Sequence, residues 1–126
     1  MKTLKQLIFL IFISLIPVNT FCKEPVVIDN IGIATKQAKE TNTEILLVFT
    51  ADWCRYCVYL KNDLMKSMEQ INSKYTVCFV DYDSNRDLAR RYNVSSLPSS
   101  VILKEKTYKK MTGYSNFTSY KDFLNL

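Results

Sequence analysis

The chain has 126 residues, 48% of them hydrophobic and 23% charged, which is room for one domain with one core and excludes a disordered polymer. Its 17 basic and 12 acidic residues leave a formal charge of +5, spread along the chain without a dense Lys/Arg run. Nucleic-acid binding therefore gains no support from charge.

Lys2 and Lys5 precede an almost unbroken apolar run from Leu7 to Ile16, which Pro17 ends. This is the layout of a secretory signal peptide, and the run is shorter than the roughly 20 residues that cross a bilayer. Residues 1–22 are expected to be a signal peptide, cleaved after Cys22 or after Thr20, and residues 23–126 the exported, periplasmic domain. An uncleaved membrane anchor facing the periplasm is the alternative. Bulky Phe21 disfavours lipid attachment at Cys22. Losing residues 1–22 removes two lysines and no acid, so the balance becomes 15 − 12 = +3.

Glu24 to Asp29 reads as a short strand or extended lead-in. Asp29 or Asn30 is placed to cap a helix running to about Thr41, with Ile31, Ala34 and Ala38 on one side. Thr41-Asn42-Thr43 is a break. Ile45 to Phe49 is a continuous apolar run, as in a strand buried on both faces. A long helix follows, from near Cys54 to near Ser73, with Leu60, Leu64, Met68 and Ile71 as its apolar stripe. Tyr75 to Tyr82 reads as a strand and Arg86 to Tyr92 as a helix. Val101 to Leu103 and Tyr108 to Thr112 are two strands joined by a polar turn at Lys104 to Thr107. The lysines around that turn suit a solvated hairpin that blunts an edge strand. Ser115 or Asn116 then caps a last helix carrying Phe117, Tyr120, Phe123 and Leu124. Strand–helix–strand followed by a hairpin implies a three-layer α/β/α sandwich around a small mixed sheet.

Cysteines stand at 22, 54, 57 and 78, and the chain has no histidine. Cys54 and Cys57 become neighbours on a helix, because positions three apart lie one above the other. Cys54 falls at the junction of a buried strand and a helix, where free N–H groups and the helix dipole stabilise a thiolate. A thiolate there attacks a partner disulfide, and the second cysteine resolves the mixed disulfide. Cys54 suits the nucleophile, being first and expected to be the more exposed; Cys57, one turn inside, suits the resolving thiol. A static bridge would stabilise weakly, because the loop it closes is so short. A metal site would need ligands beyond Cys78 and the departing Cys22, so no metal and no cofactor are expected. Cys78, in an apolar strand, reads as a small core residue.

In this order, three features resemble the thioredoxin superfamily over about residues 30–126. They are Ala51-Asp52-Trp53-Cys54-Arg55-Tyr56-Cys57 after the apolar strand, Tyr92 to Ser99 with its Leu97-Pro98, and Gly113 before a terminal amphipathic helix. The resemblance implies a thioredoxin-like fold and a redox disulfide Cys54–Cys57. It also implies a cis peptide at Pro98, with Leu97 and Pro98 set against the cysteine pair and offering backbone hydrogen bonds to a partner's extended chain. Trp53 would shape the rim of the site, and Tyr56 would contact partners or pack on its helix; the positive charge of Arg55 would favour the thiolate, and Asp52 works the other way. The chain departs from thioredoxin itself in carrying Arg55-Tyr56 between its cysteines, and Val48 and Phe79 where the family places a buried acid and its lysine partner.

The Ala-Asp-Trp-Cys form and the leader resemble exported thioredoxin-like reductases, including the C-terminal domain of membrane thiol-reductant transporters. The expected activity is reduction of partner-protein disulfides by a monomer. Its partners would be substrate proteins with disulfides or thiols and a redox partner, in one version membrane-embedded, that supplies or accepts electrons. A disulfide oxidase or isomerase of the same fold, or a non-catalytic binding module with a structural disulfide, are the alternatives.

Overall fold

The structure is a computed structural model that describes residues 29–126; the expected signal peptide and the lead-in up to residue 28 lie outside the described residues. Asn30 caps the first helix, α1 (Ile31–Thr41), its side-chain oxygen accepting from the N–H groups of Gly32 and Ile33. Asn42 ends that helix in a left-handed turn with φ of 53°, a conformation asparagine tolerates better than most residues. The chain continues through β1 (Glu44–Thr50), α2 (Arg55–Lys66), α3 (Met68–Asn72), β2 (Tyr75–Asp81) and α4 (Arg86–Arg91). It finishes with β3 (Ser99–Leu103), β4 (Tyr108–Thr112) and α5 (Phe117–Leu124).

The four-stranded sheet has the order β2-β1-β3-β4. β1 runs parallel to β2 and antiparallel to β3, and β3 is antiparallel to β4. Side chains alternate along the central strands, and this period of two divides the core. Leu46, Val48, Val77, Phe79 and Ile102 face α2, α3 and α5, where they meet Leu60, Leu64, Met68, Ile71, Tyr120, Phe123 and Leu124. Leu47, Phe49, Cys78, Val80 and Val101 face the other way, toward Ala34 of α1 and Ala89 of α4. The result is the expected three-layer α/β/α sandwich around a mixed sheet, a thioredoxin-like fold.

Two expectations need correction. The single long helix from Cys54 to Ser73 is broken at Ser67, where the N–H bonds the carbonyl of Leu64, three residues back, at 3.1 Å. The turn tightens at a residue of only middling helix propensity, while Met68 and Ile71 beyond it stay buried on the same core. The lysines of β4 are also not simply solvated. Lys109 Nζ donates to the carbonyl of Phe123 at 2.8 Å, and Lys110 Nζ to that of Asn93 at 2.6 Å. Neighbouring residues of a strand point to opposite faces, so this pair ties the edge strand to α5 and to the loop after α4.

Candidate functional site

The site forms where β1 gives way to α2. Cys54 donates its backbone N–H to the carbonyl of Ala51 at 3.0 Å, closing a turn over Ala51–Trp53. Cys54 is itself the N-cap of α2: its backbone is extended (φ −91°, ψ 103°) and its Sγ accepts the N–H of Cys57 at 3.2 Å. A sulfur here does what a capping oxygen does, satisfying one of the helix's free donors. Cys54 and Cys57 are joined in a disulfide with their Cα atoms 5.3 Å apart. Cys54 is 6% exposed and Cys57 3%, so both sulfurs are largely covered, Cys54 the less so.

Their cover is Ala51 and Leu97. The Leu97–Pro98 peptide bond is cis, and the Pro98 carbonyl accepts the N–H of Gly113 at 2.7 Å. Gly113 has φ of 81°, a left-handed conformation that a residue with a Cβ rarely adopts. The loop before β3 and the end of β4 are thereby held together next to the cysteines.

Trp53 is 68% exposed on the rim, yet fixed: its Nε1 donates to Asp83 Oδ2 at 2.8 Å. Asp83 also receives Arg86 at 2.6 Å, and the Arg86 guanidinium lies 4.2 Å from the centre of the Tyr82 ring. Arg55 donates from Nε to the hydroxyl of Tyr59 at 2.9 Å, one helical turn on. The position of its charge is therefore set by Tyr59. Tyr56 is exposed and meets Tyr59 edge-on at 6.0 Å.

Val48 and Phe79 are partners in the β1–β2 register, on the sheet face that carries α2, so two apolar side chains stand at this level of the sheet. Cys78 is fully buried on the opposite face, and burial, helped by the charge of Asp29, pushes its thiol up to about 11. Among the described residues no group of three or more His, Cys, Asp or Glu could hold a metal ion, and no helix is long and apolar enough to cross a membrane.

Three contacts of the site were not legible in the sequence: Asp83 under Trp53, Tyr59 under Arg55, and Tyr114, whose hydroxyl donates to Asp63 Oδ2 at 2.5 Å. The spacing of four between Arg55 and Tyr59 was the one usable signal. The other two pairs are 30 and 51 residues apart.

The thioredoxin family model matches residues 33–125. Thioredoxin 2 of Plasmodium falciparum is 34% identical over 85 residues, covering 68% of this chain and 53% of that protein. Thioredoxin of Buchnera aphidicola is 27% identical over 96 residues, covering 75% of this chain and 88% of its own length. The crystal structure of the germline-specific thioredoxin Deadhead of Drosophila superposes with a TM-score of 0.67 at 22% identity, covering 80% of this chain and 98% of that one, a likeness of fold. The chain spans about half the length of the Plasmodium relative, 53%.

Proposed function

The chain belongs to the thioredoxin family, and on that premise we propose that it is an exported thiol–disulfide oxidoreductase that reduces disulfides in partner proteins. The observation that carries this reading is the placement of the Cys54–Cys57 disulfide at the first turn of α2, with Cys54 Sγ accepting the N–H of Cys57. A bond so placed puts the Cys54 sulfur at the helix N-terminus, which stabilises it as a thiolate when the bond opens, with Cys57 one turn inside to resolve it.

In the reduced form the Cys54 thiolate attacks one sulfur of the partner's disulfide. That S–S bond breaks, the Cys54–partner bond forms, and the partner's other sulfur leaves as a thiolate. Cys57 then attacks Cys54 Sγ, which frees the partner's second sulfur and closes Cys54–Cys57. Two electrons and the one proton of Cys57 pass from the cysteine pair to the partner, whose second thiolate takes its proton from water, and a redox partner must return the electrons. With Val48 and Phe79 in the sheet beneath α2, the departing partner thiolate is the natural acceptor for the Cys57 proton.

Trp53, Tyr56 and the Leu97–Pro98 loop form the contact surface around the pair, and Arg55 favours the thiolate. The leader pattern at residues 1–22 supports export to the periplasm, where the domain acts as a monomer.

The test is the equilibrium of the Cys54–Cys57 pair in glutathione buffers of graded ratio. A potential near the reducing end of the family's range, about −270 mV, supports a reductase, and one near about −120 mV moves the role to disulfide formation. A pair that strong reductant never opens overturns the enzymatic reading. A Cys57→Ser variant adds a second readout, since it should trap partners as mixed disulfides that dithiothreitol releases. N-terminal sequencing of protein recovered from the periplasm checks export.

A further inference from the structure

An open groove of about 520 Å³ runs between α2 and the segment from Tyr114 to Phe117. Its α2 wall is Tyr56, Tyr59, Asp63 and Lys66, a stripe at helical spacing of three and four. Tyr56 and Tyr59 are 59% and 44% exposed, large rings left facing water. Phe117 forms the opposite wall, and the Tyr114–Asp63 hydrogen bond ties the two walls together. Lys66 approaches the same Asp63 carboxylate at 3.5 Å with 76% of its own side chain exposed. Asp63 is thus shared between Tyr114 and Lys66, while the exposed Lys66 ammonium has three donors and keeps two of them for a further partner at the far end of the groove.

The near end of the groove is Tyr56, which stands between the two cysteines in the chain, so the groove starts at a residue adjoining the cysteine pair. The ten helical rises from Tyr56 to Lys66 span about 15 Å, the length of four or five residues of extended chain.

We propose that this groove holds the extended segment flanking the target cysteine of a substrate protein, seating an apolar side chain between Tyr56, Tyr59 and Phe117 and an acidic one near Lys66. The inference rests on the oxidoreductase reading and narrows its substrate class. Aromatic rings beside a reactive centre supply contact area at low entropic cost, which is why tyrosine is enriched at binding surfaces.

The experiment uses the reduced full chain and cysteine peptides capped as mixed disulfides with nitrothiobenzoate. Cys54–Cys57 is oxidised in the reaction, the capped disulfide is cleaved, and peptide thiol and coloured nitrothiobenzoate are released. Two peptides carry phenylalanine three residues and glutamate five residues from the cysteine, one on its N-terminal side and one on its C-terminal side. A third carries serine at those places. One flanked peptide is expected to react about tenfold faster than the serine control. That ratio should fall to near one in Tyr59→Ala and in Asn62→Trp, which fills the groove. Taking a ratio cancels any change in thiolate reactivity when Arg55 loses Tyr59.

Equal rates for all three peptides, with oxidised glutathione still reduced, would overturn the groove and leave the oxidoreductase reading standing. No reaction with any disulfide would sink that reading itself. A dimer at assay concentration that Asn62→Trp dissociates would give the groove to a second copy of the chain and overturn the proposal as well.

Discussion

The indole Nε1 of Trp53 donates to Asp83 Oδ2 at 2.8 Å, so the residue before the first cysteine is anchored to the loop that follows β2. The bond holds an otherwise exposed ring against the rim of the candidate site. Trp53 is the chain's only tryptophan, so its fluorescence reports directly on this anchor. Asp83→Ala should shift the emission and slow exchange with protein disulfides roughly two- to fivefold, the worth of one hydrogen bond. Asp83→Asn keeps an acceptor and should restore much of both. Unfolding free energy should change by less than about 1 kcal/mol, because the Asp83–Arg86 pair is exposed. An unchanged emission spectrum in Asp83→Ala would count against the anchor.

Ser100 Oγ and the Tyr120 hydroxyl lie 2.6 Å apart, both buried, and join β3 to α5 through the core. Ser100→Ala leaves the Tyr120 hydroxyl buried beside a methyl group and should cost about 1–3 kcal/mol in urea unfolding. Tyr120→Phe removes the other half. The double substitution should cost clearly less than the two single costs added together, since no polar atom is then stranded. Strict additivity would show that the two hydroxyls are not partners.

Burial holds the Cys78 thiol at about 11 against an ordinary 9.0. The folded state therefore favours the protonated thiol, and the sign follows from linkage. The contribution is fully present below pH 9 and is lost as pH rises through about 11. Stability measured by urea unfolding should fall across that window, and Cys78→Ala should flatten this part of the profile. In native reduced protein at neutral pH, thiol reagents should modify the Cys54–Cys57 pair and leave Cys78 untouched until the chain unfolds.

Asp81 closes the turn that leads into α4. Its carboxylate accepts from the hydroxyl of Ser84 and, at 3.1 Å, from that residue's N–H. The Ser84 hydroxyl holds the carboxyl below its ordinary 3.8. A lowered folded value means stability that is present above 3.8 and is lost as pH falls through the lowered value. The acid limb of the stability profile should therefore become shallower in Asp81→Asn and in Ser84→Ala. If both variants keep the wild-type slope, other carboxylates carry the acid transition.

The elements legible in the sequence are those built from local rules. The cap at Asn30, the stop at Asn42, the apolar run of β1 and the cap at Asn116, whose side chain accepts from Ser119, each follow from a few adjacent residues. The break at Ser67 was missed because the apolar stripe continues across it in both register and burial. The lysines of β4 read as surface charges, since nothing local places the carbonyls of Phe123 and Asn93 within their reach.

What the sequence shows of the candidate site lies in a short stretch: two cysteines three apart, after an apolar strand and at the start of a helix. Spacing and the helix dipole suffice for that much, because both act within one turn. Tertiary structure alone decided how the site is finished. It set Asp83 under Trp53, laid Leu97 over the sulfurs, and joined Tyr114 to Asp63 across the groove. These partners come from different strands and helices, and only the packing of the sheet between its two helical layers brings them within hydrogen-bond or van der Waals range.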